Sequence, residues 1–346
     1  MSENIINLSS IPQLLDQRER PMRDLRISVM DRCNFRCPYC MPEDKYHEHF
    51  KFLDSAERLS FEEILRVAHL FAGLGVSKIR ITGGEPLLRP GLTDLIGDLS
   101  RIDGIEDIAL TTNGILLGQH AAALRAAGLN RVTISLDSLD DEVFARMSGG
   151  RGSKDRVLAG ISEAVQAGLM PIKVNVVIKR GVNDQCATEL VEHFRGSGII
   201  VRFIEYMDVG TINHWQATDT VPSTELVQRI GRRWPMTPVE RNYHGEVASR
   251  YRFADGQGEV GFISSVSEPF CGSCTRIRLS SDGRLFTCLF AVDGTDLKEP
   301  LRNGADDDEL LQIIGRAWNK RADRYSEIRA EQGGSGDKVE MYYIGG

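Results

Sequence analysis

Cys33, Cys37 and Cys40 form a C-x3-C-x2-C run with Tyr39 between the last two thiols. Cys271, Cys274 and Cys288 form a second group, C-x2-C-x13-C, with Arg276 and Arg278 inside it. Three thiolates are one short of the four that normally hold an iron–sulfur cubane. A triad that ligates such a cluster leaves one iron open, and an open iron is a place where a small molecule binds and reacts. Zinc is the competing use of the same residues, because it accepts Cys3His sets at similar spacings. His47 or His49 stands close enough in sequence to complete the first set, and His244 the second. Cys186 falls early in a helical pattern and reads as a small buried apolar residue. Two triads and a leftover do not make a disulfide framework, so the thiols read as metal ligands in a reducing compartment.

The elements that must position these thiols alternate. Apolar runs of strand length at residues 25–30, 78–82, 108–112, 131–136, 172–178 and 200–206 are separated by helical patterns. One helix opens at Ser60 with Glu63 three residues on, a capping-box spacing, and others cover 92–100, 119–127, 155–167 and 187–195. Six βα units imply a parallel sheet, either open and doubly wound or a barrel lacking two of its eight units. Both architectures gather ligands at the carboxyl ends of the strands. The unusual clusters fall there: the first triad after the first strand, Gly83-Gly84-Glu85-Pro86 after the second, Thr111 to Gly114 after the third, Ser135 to Ser138 after the fourth, and Met207 to Gly210 after the sixth. A Gly-Gly turn allows close backbone approach, and its carboxylate offers an acceptor for an ammonium. After about Val221 the alternation breaks, and residues 241–263 read as short strands leading into the second triad.

Parallel strands are covered on both faces and should be continuously apolar. Here Lys78 and Arg80 alternate with Ile79 and Ile81, Lys173 and Asn175 with Ile172 and Val174, and Arg26 and Arg202 sit in similar runs. Period two sends the cations to one face, where several of them need anions to offset their desolvation. With Arg276 and Arg278 added, the fitting anion is a polyphosphate. Since there is no G-x4-G-K-S/T loop, the pattern predicts a nucleoside triphosphate gripped by side chains.

With 346 residues, 41% apolar and 26% charged, the chain reads as an ordinary globular protein. A net charge of −7 argues against a broad electrostatic grip on nucleic acid. Apolar stretches fall short of the roughly 20 residues of a membrane span, and residues 1–20 lack a secretory core. The expected location is the cytoplasm, with no membrane and no nucleic-acid partner.

The C-x3-C-x2-C run straight after a first strand resembles the signature of the radical S-adenosylmethionine (radical SAM) superfamily. Its pairing with a second triad resembles the GTP 3′,8-cyclase family, which begins molybdenum-cofactor biosynthesis, and the resemblance runs from Arg26 through C-x2-C-T-R-I-R to the terminal Gly-Gly. It implies an α/β fold, a partial (β/α)6 TIM-type barrel with a C-terminal extension carrying a second iron–sulfur cluster. Residues 1–22 would be an arm, 23–235 the radical SAM core, and 236–346 the auxiliary-cluster region with a Gly-Gly tail. The cofactors implied are two 4Fe-4S clusters and S-adenosylmethionine, whose amino and carboxylate groups complete the first cluster and whose reductive cleavage gives a 5′-deoxyadenosyl radical. Tyr39, Gly84, Ser135 and Met207 match positions used around that cofactor. On this resemblance the radical would take hydrogen from the ribose C3′ of GTP, and C3′ would then attack guanine C8, with the second cluster positioning the guanine. Arg26, Lys78, Arg80, Lys173, Arg202, Arg276 and Arg278 would serve phosphates and ribose, with Thr111 also touching the nucleotide. Implied partners are a flavodoxin- or ferredoxin-type electron donor, the downstream cyclic pyranopterin monophosphate synthase, and a second copy of the chain in a homodimer. The tail, 342–346, is expected to act as a flexible finger entering the site. The alternatives are a radical SAM peptide maturase with an auxiliary cluster and a two-cluster electron carrier, the latter having no need of six βα units or a cation-lined lumen.

Overall fold

The computed structural model describes residues 14–332 and 338–345. The first thirteen residues of the expected arm, the turn at 333–336 and Gly346 lie outside the described residues. Six βα units come first: β1 (Asp24–Ser28), α1 (Phe61–Gly73), β2 (Lys78–Thr82), α2 (Leu92–Leu99), β3 (Asp107–Thr112), α3 (Leu117–Ala126), β4 (Arg131–Ser135), α4 (Asp141–Ser148), α5 (Lys154–Gln166), β5 (Lys173–Ile178), α6 (Ala187–Phe194), β6 (Ile200–Glu205) and α7 (Ser223–Arg233). They are followed by β7 (Met236–Val239), β8 (Ser249–Phe253), β9 (Glu259–Ile263), β10 (Arg276–Leu279), β11 (Arg284–Phe286), β12 (Thr295–Asp296), α8 (Lys298–Arg302), α9 (Asp307–Asn319), α10 (Tyr325–Gln332) and α11 (Met341–Ile344). The expected strands recur to within two residues at each end. Helix α4, with Asp140 capping Val143 N, is an addition to the sequence reading.

Each strand of the barrel has two chemically different faces. Leu25, Ile27, Ile79, Ile81, Val174, Val176, Val201 and Phe203 are buried beneath the helices, and each such side chain contributes about 2 kcal/mol by leaving water. Helix α1 answers with a stripe of Ile64, Val67, Ala68 and Phe71, the spacing of one helical face. Its start carries both halves of the expected capping box, Glu63 N to Ser60 Oγ at 3.1 Å and Ser60 N to Glu63 Oε2 at 2.7 Å.

Among the described residues twelve strands belong to one sheet, ordered β12-β11-β10-β1-β2-β3-β4-β5-β6-β9-β8-β7. The C-terminal stretch therefore supplies a parallel neighbour to each edge of the six-strand array, β10 beside β1 and β9 beside β6. The partial barrel becomes eight parallel strands wide, and the sheet does not close on itself.

Candidate functional site

The first triad lies on the loop after β1, and three features hold that loop in place. Arg36 is buried and donates from Nε to Tyr46 O at 2.7 Å and from Nη1 to Cys33 O at 2.7 Å, so its guanidinium fills the loop's interior. The end of α4 braces it from outside, through Arg36 N to Ser148 O at 3.0 Å. Gly83 and Gly84 meet it from β2: Gly84 N donates to Met30 O at 2.6 Å and Glu85 N to Arg32 O at 2.8 Å. A β-carbon on Gly83 would lie 2.4 Å from Met30 O and one on Gly84 2.3 Å from Arg32 O, so only glycines permit this approach. Glu85 is turned away from the cavity. It accepts from Thr112 Oγ1 and Asn113 N, each at 2.8 Å, and from Leu87 N at 3.1 Å, which fixes the loop after β3. Burial raises its carboxyl to about 7 against those bonds.

Cys33, Cys37 and Cys40 line one cavity together with Tyr39, Gly84, Thr111, Asn113, Ser135 and Asp137. Tyr39 Oη donates to Asp137 Oδ2 at 2.8 Å, while Asp137 Oδ1 accepts from Val177 N at 2.8 Å, so the ring between the thiols is fixed from β4 and β5. Burial lifts Asp137 to about 6 and the Cys33 thiol to about 11, and it raises Cys37 and Cys40 too. Three desolvated thiols, of which Cys37 and Cys40 are raised further by their neighbours, need a strongly cationic centre to hold them as thiolates, and a multi-iron cluster is one. Phe35 N at 3.4 Å and Asn113 Nδ2 at 3.8 Å point at Cys33 Sγ, the kind of contact that tunes cluster potentials.

Cys271, Cys274 and Cys288 line a second cavity with Arg20, Phe270, Thr287 and Arg321. Its backbone hangs on a buried ion triad: Asp16 accepts from Arg20 Nε at 2.7 Å and from Arg321 Nη1 at 3.3 Å, and these arginines donate in turn to Cys271 O at 2.7 Å and Cys274 O at 2.8 Å. Glu205, at the end of β6, accepts from Val266 N and Ser267 N at 2.8 Å each and pins the approach to Cys271. Burial opposes ionisation of Cys274, yet Arg276 and Arg321 bring it down to about 6. Arg276 reaches its sulfur at 3.1 Å. Burial, then Asp323, pushes Cys288 up to about 11.

The histidines offered to zinc are elsewhere. His47 and His49 are exposed, with His47 Nδ1 accepting from His49 N, and His244 is exposed and outside the second thiol cavity. Among the described residues no three His, Cys, Asp or Glu side chains gather tightly enough to hold a single metal ion.

Between the thiol cavities lies the barrel lumen. Arg26, Lys78, Arg80, Lys173, Arg202, Arg276 and Arg278 all face it, as does Thr111. It shares Tyr39, Thr111 and Met341 with the wall of the first cavity, and Met207, Phe270, Arg276 and Arg278 with that of the second. Met207 thus borders the lumen and the second triad, while Tyr39, Gly84 and Ser135 border the first. Strand register sorts the lumen charges into levels. At the amino end Arg276, Asp24, Lys78 and Asp107 stand side by side and alternate in sign. One step up, Arg278, Arg26 and Arg80 are direct neighbours, an arrangement of like charges that costs stability when nothing offsets it. Burial and then Arg278 and Arg80 hold Arg26 well below the ordinary arginine range, and burial brings Arg278 to about 10 and Arg202 to about 9. Arg131, Tyr243 and Glu246 also line the lumen and are absent from the sequence reading. Arg131 shares the phase of Thr133 and Ser135 on β4, a signal that was there to use.

The C-terminal segment enters this rim. Asp208, next to Met207, accepts from Lys338 Nζ and Arg329 Nε at 2.7 Å each and from Tyr325 Oη at 2.5 Å, and Glu340 accepts from Thr211 N at 2.9 Å. From there α11 runs inward until Arg278 donates to the carbonyls of Ile344 and Gly345. Gly345 takes φ +71°, and a β-carbon on it would collide with Thr82.

Two family models match the chain: Radical SAM superfamily over residues 27–194 and Molybdenum Cofactor Synthesis C over residues 199–327. A GTP 3′,8-cyclase of Xanthomonas campestris pv. campestris (strain 8004) is 53% identical over 340 residues, 98% of this chain and 99% of that protein. The GTP 3′,8-cyclase of Acidothermus cellulolyticus is 50% identical over 356 residues, covering 96% and 98%. Among solved structures, Streptococcus suis SuiB bound to S-adenosylmethionine aligns with a TM-score of 0.56 at 16% identity, over 84% of this chain and 67% of that one, a likeness of fold alone.

Proposed function

The chain belongs to the GTP 3′,8-cyclase family of radical SAM enzymes, and from that membership we propose that its two thiol triads flank one GTP molecule held by the cationic lumen between them. The activity is that of a lyase that converts GTP to (8S)-3′,8-cyclo-7,8-dihydroguanosine 5′-triphosphate, for molybdenum-cofactor biosynthesis. The observation that carries the reading is the lumen itself, walled by residues of both thiol cavities and stacked with uncompensated arginines.

Cys33, Cys37 and Cys40 would hold the 4Fe-4S cluster that goes with the superfamily, leaving an iron for S-adenosylmethionine beside Tyr39, Gly84 and Ser135. Cys271, Cys274 and Cys288 would hold a second 4Fe-4S cluster at the guanine end. When bound, the first cluster supplies the electron that cleaves S-adenosylmethionine and so provides the radical for C3′. The protein's own part is placement. Arg26, Arg80 and Arg278 offset the triphosphate charge, Lys78, Lys173 and Arg202 extend that surface, and Arg276 joins the nucleotide site to Cys274. Asp137 keeps the Tyr39 ring against the cofactor, and Met207 lies between lumen and second cluster. On this reading residues 23–235 generate the radical, 236–346 orient the nucleotide, and the Gly-Gly tail attends the site through Arg278. A flavodoxin- or ferredoxin-type donor, hand-over to cyclic pyranopterin monophosphate synthase, homodimer formation and a cytoplasmic location belong to the same proposal. Among the described residues no helix is long and apolar enough to cross a membrane. The peptide-maturase alternative is not favoured by relatives of this identity.

The test is an anaerobic incubation of the iron-loaded protein with S-adenosylmethionine, reductant and each of the four ribonucleoside triphosphates. One hydrogen atom leaves C3′ and one electron and one proton return, so the product is an isomer of its substrate. The expected result is an isomer from GTP alone, separable by chromatography, with 5′-deoxyadenosine formed alongside it. Turnover of all four nucleotides, or of none, would sink the proposal.

A further inference from the structure

Beneath the arginine level the lumen is stopped by residues to which the reading above gives no role. The loop between β7 and β8 folds back across the amino ends of the strands and puts Tyr243 and Glu246 among the cavity walls. The Tyr243 ring lies against Lys78, with Nζ 3.3 Å from its centroid. Asp24 on β1, Arg80 on β2 and Arg131 on β4 all lie near enough to act on its hydroxyl, as does Glu246. The ring packs on Lys78, the first residue of β2, and so stands at the amino end of the lumen. Paired charges surround it: Asp24 and Asp107 flank Lys78 in register, Asp107 also holds Arg131, and the buried Glu246 lies 4.0 Å from Arg250. The lumen thus changes character along its axis, from unbalanced cation at Arg26, Arg80 and Arg278 to balanced charge and an aromatic ring at the floor.

We propose that Tyr243, seated on Lys78 among the matched charges of the floor, is the stop that sets how many phosphates the site accepts: three rest on the cations above it, and a fourth is turned away. This rests on the GTP reading and adds a chain-length specificity to it. Four residues of strand separate Lys78 from Thr82 at the rim, about 13 Å. A nucleotide held at the rim by its base therefore meets the floor with its last phosphate. A further phosphate would have to push the ring off Lys78 and compete for cations already matched at the floor, where Asp107 holds Arg131 and Asp24 stands between Lys78 and Arg276. One phosphate fewer leaves the cations nearest the floor without their share of the ligand's charge.

The experiment is calorimetric titration of the anaerobically reconstituted protein with GDP, GTP and guanosine 5′-tetraphosphate. The wild type should bind GTP most tightly of the three. Tyr243→Ala should lower the preference for GTP over the tetraphosphate by about tenfold or more, the scale on which a pocket discriminates by size. Tyr243→Trp should shift preference the other way, toward GDP, and Tyr243→Phe should keep the wild-type order, because the ring and not the hydroxyl forms the stop. Partial unfolding weakens all three ligands alike and cannot produce opposite shifts from Ala and Trp. Equal affinity of the wild type for GTP and the tetraphosphate, or an unchanged ratio in Tyr243→Ala, overturns the stop while leaving the GTP reading intact. Failure of the wild type to bind any guanosine nucleotide overturns that reading and the stop with it.

Discussion

Nucleotide binding should take up a proton at Lys173. This lysine sits on β5 between Thr133 and Ile200, and burial, then Arg202, Arg131 and Arg80, lowers its ammonium to about 7, with Glu246 opposing. In the unfolded chain the group titrates near 10.4. Between those limits the unfolded chain binds more protons than the folded one, so stability of the ligand-free protein rises with pH from about 7 upward, and the penalty is fully present below it. A triphosphate beside Lys173 reverses the balance by favouring its charged form. At pH 8 the free site is about one-tenth protonated and the occupied site almost wholly so, an uptake of about 0.9 proton per GTP. Arg202, at about 9, adds roughly a further tenth. Phosphate itself, titrating near 6, has no proton left to release at that pH. Affinity should accordingly weaken by nearly tenfold per pH unit above 7. The assay is calorimetry at pH 8 in buffers of different ionisation enthalpy, with Lys173→Met as control. Uptake below about 0.3 proton, or the same uptake in Lys173→Met, would refute the assignment of Lys173 to a desolvated anion site.

Separate roles for the triads predict different lesions. Cys33→Ala should abolish 5′-deoxyadenosine formation, whereas Cys288→Ala should retain some uncoupled cleavage while losing the cyclised product; equal loss of both activities in Cys288→Ala would argue against the division. Gly84→Ala places a methyl 2.3 Å from Arg32 O, so the triad loop must move, with a cost of about 2–3 kcal/mol and less iron bound at the first site; a normal melting temperature and iron content would contradict the seating described. Asp208→Asn leaves Lys338 and Arg329 without their charge partner, a local loss of about 3–5 kcal/mol, and trypsin should then cut at Lys338 much faster while cutting elsewhere is unchanged. Unaltered cleavage there would show that Asp208 does not anchor the tail.

The parts of this site that can be read along the chain are those with a local signature. Thiol spacing, the Ser60–Glu63 cap and the period-two polar residues of β2 and β5, Lys78 with Arg80 and Lys173 with Asn175, are written within a few residues, and each reappears in three dimensions. Arg131 opens β4 as Lys78 opens β2, but its partners in phase are the uncharged Thr133 and Ser135, so no second cation marks the alternation. Glu85 illustrates a different limit. Its type and place suggested a ligand contact, yet Thr112 and Asn113, from the next βα unit, claim both its oxygens. Tyr243, Glu205 and the Asp16 ion triad depend on pairings between distant segments, and nothing in their immediate neighbours announces them. The placement of β9 and β10 at opposite edges of one sheet is likewise a long-range choice, settled by which edges remain open once six strands have paired.

That placement has a consequence for biosynthesis. Strands β1 to β6 leave the ribosome well before the segments that cover them, so the nascent barrel has two bare flanks of unpaired N–H and C=O groups, an invitation to wrong partners. Both flanks are covered by the stretch that also brings Cys271 and Cys274, which immediately precede β10. Sealing the half-built protein and completing its second metal-binding pocket are therefore one late event in translation, and a chain truncated between β6 and β9 would lose both together.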